Sequence, residues 1–413
     1  MTREATRYGN DDFVPVILGT GLGAYATARA LHEAYGVRSL ALGRAALHET
    51  ARSAILDVRV HASFGEPDAV VATLRELVAE LPGRTRVLFA TIEYYTNVLI
   101  DHRAELAADY VIPLVDEPLK RRVIDKTDFY RTCEQLGVPY PRTVVVPPGE
   151  DDDTLGDALP FGYPVILKPS DTDTYPRIAF EGKQKVYRVH DAHELRDVVG
   201  RIHRAGYAGD LVVQELLAGD EHVMRVANTY SDRHGTLRMA SLGQVALTEW
   251  NPQLVGNNNA IISVHDETLV ASLRRFLDGI GYVGAANFDV MRDADGVDKL
   301  LEVNLRTGAT AYYATAAGAN IAQRTVEEHV YGRTPEDVVT TEERLWVNVP
   351  YPVLLWFVPR SLRAQVRSVA RRGRVHTLRY RADRSLRRRL EVARLDLRRS
   401  LDYVRYSAAR PRP

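Results

Sequence analysis

Apolar and polar positions repeat with two different periods along the chain. Over the first 115 residues, short apolar runs at 13–19, 38–42, 86–91 and 110–114 are bounded by turns. Between them, apolar positions recur every three to four residues, as at 24–35 and 68–81. The first kind of run predicts buried strands and the second amphipathic helices. Strands that alternate with helices predict a parallel α/β domain over residues 1–115. The turn Gly19-Thr20-Gly21-Leu22-Gly23 ends the first strand and opens a helix, whose N-terminal N–H groups suit an anion. Its third glycine comes one residue too early for Gly-x-Gly-x-x-Gly, and no acid ends a second strand at the expected distance. A dinucleotide site is therefore disfavoured.

The pattern changes after residue 116. Residues 117–136 read as one helix ending at Gly137-Val138-Pro139. Strand-like runs follow at 142–146, 163–169 and 210–215, then at 221–230, 236–246 and 282–291, which suggests an antiparallel α+β portion. Residues 147–159 are acidic and turn-rich, as in a surface loop. From Trp346 an apolar, Pro-containing segment leads into an Arg-rich helical tail interrupted near Gly373. There Leu386, Leu390, Ala393, Leu397, Leu401 and Val404 recur at three- and four-residue steps.

Composition narrows the class. A chain of 413 residues predicts two or three domains with an ample core. Its one cysteine, Cys133, excludes an internal disulfide framework and a multi-Cys zinc site, and fits a reducing compartment. No secretory h-region follows Met1, and no run is long and apolar enough to span a bilayer; the best candidate, 345–358, carries Pro350 and Pro352. These features predict a cytoplasmic protein. The formal net charge is zero but uneven: residues 363–413 hold 17 arginines and four acids, so the remainder is acidic by the same margin. Such asymmetry suits either a polyanionic or membrane-surface partner, or a salt-bridged helical tail packed on an acidic body.

The densest chemistry lies at 299–308, Lys-Leu-Leu-Glu-Val-Asn-Leu-Arg-Thr-Gly. On a strand, Glu302, Asn304 and Arg306 project from one face while Leu301, Val303 and Leu305 pack on the other. Asp289, on the neighbouring run 285–290, can point the same way. Two carboxylates and an amide oxygen suit Mg²⁺, and an arginine beside them suits phosphate. Alone, the same face would serve equally as the solvent side of an edge hairpin. Lys168 ends an apolar strand before Pro169, where a buried ammonium needs a partner such as phosphate. Residues 214–221 combine a strand end, an apolar turn and a carboxylate. They can present backbone groups to an adenine edge, Leu217 to its face and Glu221 to ribose; a plain connecting loop is the other reading.

Taken in order, these pieces resemble the ATP-grasp superfamily of carboxylate–amine ligases. Lys126, in Ile124-Asp125-Lys126, and Lys168, in Val165-Ile166-Leu167-Lys168-Pro169-Ser170, are similar to its two phosphate lysines. Gln214 and Glu215 resemble the adenine-side hinge, Leu217 its apolar contact and Glu221 the ribose carboxylate. Asp289, Glu302 and Asn304 match the metal ligands, and Arg306 matches the arginine that stabilises the transferring phosphoryl group. One departure concerns the lid: residues 171–185 hold a single glycine, Gly182, with Tyr175, Pro176 and Arg177, and either Lys183 or Lys185 can add a phosphate contact. Within the superfamily the chain is most similar to D-aspartate ligase and related peptidoglycan ligases. The resemblance is carried by Pro15-Val16-Ile17-Leu18-Gly19, by Ala24-Tyr25-Ala26-Thr27-Ala28-Arg29 with His32-Glu33-Ala34-Tyr35-Gly36, by residues 302–313 followed by Thr315-Ala316-Ala317-Gly318, and by the apolar-then-basic extension after Tyr351.

The resemblance implies a fold of α/β and α+β class. It has an N-terminal Rossmann-like parallel α/β domain (1–115), a small lobe with linker helices (116–212), a large lobe (213–345) and a basic helical C-terminal extension (346–413). The two α+β lobes would enclose ATP. It also implies ATP and Mg²⁺ (or Mn²⁺) as cofactors, an acyl-phosphate intermediate, a small amino acid such as D-aspartate as acyl donor, and the side-chain amine of a nucleotide-linked cell-wall peptide as acceptor. Residues 249–259, with Trp250, Asn251, Gln253 and Gly256-Asn257-Asn258-Asn259, offer amides for such a substrate, or else form a polar surface turn. The tail would hold the anionic acceptor or meet phospholipid beside Trp356 and Phe357, attaching the protein peripherally at the inner membrane face. A ligase making a soluble dipeptide or other small amide is the second reading. The non-enzymatic one is a nucleotide-dependent binding protein with a basic arm. Nucleic acid is disfavoured, because the tail has few interleaved aromatics and no recognised motif. The oligomeric state is not written in the sequence.

Overall fold

The computed structural model describes residues 8–149, 154–171, 174–217, 219, 223–254 and 256–407. Three sheets follow one another along the chain. The first contains β1 (Phe13–Leu18), β2 (Ser39–Gly43), β3 (Leu56–Val60) and β4 (Thr85–Ala90), all parallel in the order β3-β2-β1-β4. Every residue of β1 is buried, as expected of a central parallel strand covered on both faces. The apolar periodicity of 24–35 and 68–81 becomes the helices Leu22–Tyr35 and Pro67–Glu80. β3 goes beyond the sequence reading, because Leu56-Asp57-Val58-Arg59-Val60 is an edge strand with polar residues between its apolar ones. The run at 110–114 contributes a single parallel bridge, Val111 to Val87.

Residues 117–136 form two helices, Glu117–Ile124 and Lys126–Gln135, rather than one. Asp125 interrupts them. Its carboxylate accepts from the backbone N–H of Asp128 (3.0 Å) and caps the second helix, leaving Lys126 at that helix's first position.

The second sheet is antiparallel and built from β5 (Thr143–Val146), β6 (Val165–Pro169), β7 (Tyr187–Val189) and β8 (Leu211–Glu215), in the order β5-β8-β6-β7. Helix Ala192–Arg204 buries Leu195, Val198, Val199 and Ile202 against it. The third sheet has eight strands: β9 (Met224–Ser231), β10 (Leu237–Thr248), β11 (Asn258–Val264), β12 (Gly284–Arg292), β13 (Asp298–Asn304), β14 (Val338–Val339), β15 (Leu345–Val347) and β16 (Arg374–His376). They run β13-β12-β9-β10-β11-β15-β16, with β14 on β10. Helix Glu267–Ile280 packs Leu273, Phe276 and Leu277 into the same core as Phe129, Tyr130 and Cys133. Burial pushes the Cys133 thiol up to about 12, so it is an inert core residue.

Two of the borders that the resemblance implies, 212/213 and 345/346, coincide with positions inside β8 and β15. β15 binds β11, and β16 binds β15 in parallel, so residues beyond 346 extend the large sheet. Beyond β16 the chain folds back onto the first sheet. Asp383 accepts hydrogen bonds from Tyr25 Oη (2.8 Å), Ser53 Oγ (2.8 Å) and the Ala54 N–H (2.7 Å). Arg388 lies over the Tyr25 ring and donates to the carbonyls of His48, Glu49 and Ala51. Both side chains are almost wholly buried, so each depends on its partners for solvation. Arg388→Met strands the Asp383 charge and orphans three carbonyls. It should cost about 3–5 kcal/mol in urea unfolding; a loss below about 1 kcal/mol would mean that the latch contributes little.

Candidate active site

β12 and β13 pair so that Asn287 lies opposite Asn304, and Asp289 opposite Glu302. Directly opposed residues share a face of the sheet, which gathers these four polar side chains. The simple alternation expected along β13 holds for Val303 and Leu305, which are buried, and fails at Leu301. A register shift opposite Asp289 and Val290 leaves Leu301 as an extra residue, and Leu300 takes the core position. Such a bulge re-aims the side chains beside it. The Leu301 carbonyl accepts from Tyr130 Oη at 2.8 Å, tying the bulge to helix Lys126–Gln135.

Asp289 and Glu302 hydrogen-bond each other, and each shifts the other's proton affinity. Burial first, and the Glu302 charge second, push Asp289 well above the usual carboxylate range. Burial acts the same way on Glu302, but the Asp289 hydrogen bond and the charges of Lys126, Lys168 and Lys185 outweigh it and hold Glu302 low. The two carboxyls are thus shifted in opposite directions, Asp289 up and Glu302 down. Arg306 lies two residues past the end of β13. Its Nη2 donates to Asn304 Oδ1 (3.3 Å) and its Nη1 to the Thr307 carbonyl (3.1 Å), while Nε is buried without a partner. Burial lowers its proton affinity, and Glu93, Asp289 and Glu302 offset this.

Both predicted lysines face the acid pair. Lys168, on β6, donates to Tyr130 Oη (2.8 Å) and Gln214 Oε1 (3.1 Å). Lys126 lies one helical turn before Tyr130. Burial lowers it, Glu302 and Glu93 pull the other way, and Lys168 and Lys185 add repulsion. The lid lysines divide the work. Lys183 is bonded to the carbonyls of Pro176 (3.0 Å) and Ile178 (2.5 Å), whereas the charge of Lys185 acts on Asp289, Glu302 and Lys126. The lid is stitched by Tyr175, whose hydroxyl meets Tyr187 Oη (2.7 Å) and donates to the Gln184 carbonyl (2.8 Å).

The hinge side chains are engaged within the protein. Gln214 Nε2 donates to Thr143 Oγ1 (3.0 Å), and Glu215 bridges Lys299 (2.6 Å) and Arg142 (2.8 Å). Desolvation opposes ionisation of Glu215, but bonds from Lys299 and Arg142 hold it low. Leu217 is buried, and Glu221 lies outside the described residues.

Some members of the site escape the sequence reading. Glu93 and Asn97, on helix Glu93–Asp101 of the first domain, line a small cavity with Asn304 and Arg306; Asn97 Oδ1 is buried there without a hydrogen-bond partner. Asn228 on β9 accepts from the Gly308 N–H (3.1 Å), and Gly308 sits so close to the Asn287 amide that a Cβ would meet it at 3.0 Å. Isolated polar residues on a helix or an apolar strand carry no local signature. Their role comes from a fold that brings residues 93, 228 and 306 together. The Gly19–Gly23 turn also reaches this loop, since Gly23 approaches Ala309; Gly19, at φ 118°, has no room for a Cβ against Thr91.

No protein-family model matches the chain. Its sequence is 32% identical to a D-aspartate ligase of Enterococcus faecium (strain Aus0004) over 395 residues, covering 92% of this chain and 93% of that one. The chain belongs to the D-aspartate ligase family. It is an ATP-grasp ligase that forms a carbon–nitrogen bond and releases ADP. A D-alanine–D-alanine ligase of Pseudomonas putida (strain GB-1) is 26% identical over 225 residues, 52% of this chain and 65% of that one. Two solved structures share the fold. An L-amino acid ligase from Bacillus licheniformis has a TM-score of 0.53 at 16% identity, covering 78% of this chain and 75% of that one. The ADP complex of an N5-carboxyaminoimidazole ribonucleotide synthetase has a TM-score of 0.58 at 14% identity, covering 88% of each chain.

The acid pair of this ligase fits a divalent cation. Burial and the neighbouring Glu302 charge disfavour ionisation of Asp289, and a cation between the two carboxylates would relieve both. Among the described residues no three His, Cys, Asp or Glu side chains form a ready-made metal cluster. Two carboxylates, the Asn304 amide oxygen and nucleotide phosphates make the sparse set that suits Mg²⁺. Residues 249–259 lie apart from this chemistry. Glu249 accepts from the N–H groups of Trp250 and Asn251 and from Asn259 Nδ2, which also donates to Tyr403 Oη. Trp250 packs on Phe357 and Tyr403. The buried amides of Asn251 and Asn259 thus hold the C-terminal helix.

Proposed function

We propose that the ligase activates the carboxylate of a small amino acid, D-aspartate first, and joins it to the side-chain amine of a nucleotide-linked cell-wall peptide. The near-full-length similarity to a D-aspartate ligase carries this choice of substrate. A carboxylate oxygen of the donor attacks the γ-phosphorus of ATP, ADP leaves, and the acceptor amine displaces phosphate from the acyl phosphate. The protein's task is to position the reactants and neutralise charge. Lys126 and Lys168, with Lys185 from the lid, would hold the phosphates. Asp289, Glu302 and Asn304 would hold Mg²⁺, which when bound screens the phosphate oxygens. Arg306 would stabilise charge on the transferring group. The backbone of Gln214–Leu217 would meet adenine, since its polar side chains are already engaged, and Glu221 would meet ribose. Glu93, facing Arg306 and Lys126, keeps that cationic corner from repelling itself when empty.

The test is incubation with ATP, Mg²⁺, a panel of D- and L-amino acids and a nucleotide-linked peptide precursor, read by mass spectrometry. The expected product is the precursor carrying one aspartyl residue. A soluble dipeptide formed while the precursor stays unmodified would replace this reading with the dipeptide one.

Lys168 supplies a pH signature. Burial pushes its ammonium down to about 8, against the pull of Glu302. The charged form is complete below that value and is lost as pH rises through it. ATP affinity of the free enzyme should therefore fall above about pH 8, and Lys168→Arg, whose guanidinium stays charged, should flatten that limb. Nucleotide titrations between about pH 6 and 10 check this; an unchanged limb in the variant would free Lys168 from the role.

A further inference from the structure

The apolar stripe of the C-terminal helix, Leu386–Tyr406, points away from the protein. Its inner face is built from Arg388, Val392, Leu395, Asp396 and Tyr403. On the opposite side Leu386, Leu390, Leu397, Leu401 and Val404 are 53–72% exposed. Five of the thirteen exposed large apolar residues of the described chain thus stand on one helix; most of the others are scattered singly. At about 100° per residue the five form one line along a helix of about 30 Å. Arg387, Arg394, Arg398 and Arg405 flank it on one side and Arg389 on the other, all exposed. No acid is among the exposed residues of this helix. Glu391 is paired with His48 and Arg394, and Asp402 accepts from Asn251.

We propose that this outer face docks on an anionic phospholipid bilayer. An apolar stripe edged by arginines matches the two layers of such a surface, acyl chains below and phosphates above. A second copy fits less well, because a two-fold pairing sets the same arginines beside each other with no acid between them. Nucleic acid would meet the arginines but leave the leucines in water. Of the two aromatic residues expected at the lipid, Phe357 is stacked on Tyr403 inside the protein, while Trp356 is exposed.

The experiment is sedimentation of the full chain with vesicles of equal parts phosphatidylglycerol and phosphatidylcholine, and with phosphatidylcholine alone. Binding is expected to the anionic vesicles only, weakening with salt. Arg387→Gln/Arg394→Gln/Arg398→Gln should lower partitioning on the order of 100-fold. Leu390→Ser/Leu397→Ser/Leu401→Ser should lower it by about ten-fold or more, with thermal stability and ligase turnover in solution unchanged. Failure of the full chain to bind anionic vesicles overturns the proposal, as does undiminished binding by the leucine variant. A concentration-dependent dimer in sedimentation velocity that the leucine substitutions dissolve would likewise overturn it, in favour of a second copy.

Discussion

Glu302→Gln is expected to slow ATP-dependent amide formation by about 10³-fold while the protein stays folded. Glutamine keeps the shape of the side chain on β13 but removes the carboxylate of the pair whose proton affinity is lowered. Two consequences follow from the same charge. A cation loses its anionic anchor, and the charge of Glu302 no longer supports protonation of Lys168 and Lys126. The Lys168 pKa should therefore fall below its present value near 8, moving the alkaline loss of ATP affinity to lower pH. ADP release and product mass read the first effect, and nucleotide titration across pH reads the second. Full turnover in this variant would remove Glu302 from the metal site.

Arg306→Lys is expected to lower kcat on the order of 10³-fold with little change in KM for ATP. The guanidinium is held at two points, the Asn304 amide and the Thr307 carbonyl, and its buried Nε still lacks a partner. That is the geometry of an anchored group whose Nε–H is still in reserve. An ammonium is a point charge and cannot keep two anchors while offering a third bond in plane. Steady-state kinetics with saturating ATP decide the matter. A rise in KM with kcat unchanged would place Arg306 in ground-state binding, and the phosphoryl-stabilising role would go elsewhere.

The sequence makes the centre of this site legible for a simple reason. Strands have a period of two, so Glu302, Asn304 and Arg306 announce a shared face, and Asp289 lies on a run that can pair with them. The bulge at Leu301 is not announced, because one inserted residue leaves the apolar run Leu300-Leu301 unchanged in composition while resetting which leucine is buried. Long-range members are hidden for another reason. Glu93, Asn97 and Asn228 matter only through contacts between segments far apart in the chain, and nothing local marks them. At 249–259 a cluster of amides suits a binding loop or a surface turn, yet a buried amide needs partners of its own, and for Asn259 Tyr403 and Asn348 supply them. The helical period of 386–404 is equally plain in the sequence, but periodicity does not say which side of a helix faces the protein. Arg388 and Asp396 lie inward because each has a fixed counter-charge, Asp383 for Arg388 and Arg379 for Asp396, with His376 adding a hydrogen-bond contact to Asp396.

The latch formed by Asp383 and Arg388 also sets an order in time. Its partners at Tyr25, His48–Ala51 and Ser53–Ala54 leave the ribosome some 330 residues earlier, as the sequence separations of these bonds record. The first sheet must therefore wait, with Tyr25 and the carbonyls of the 48–51 turn uncovered, through most of translation. At roughly 5–20 residues per second, that interval lasts from about 15 seconds to more than a minute. Truncations short of residue 383 should accumulate with this surface open, the state in which the nascent protein is most exposed to chaperones and proteases.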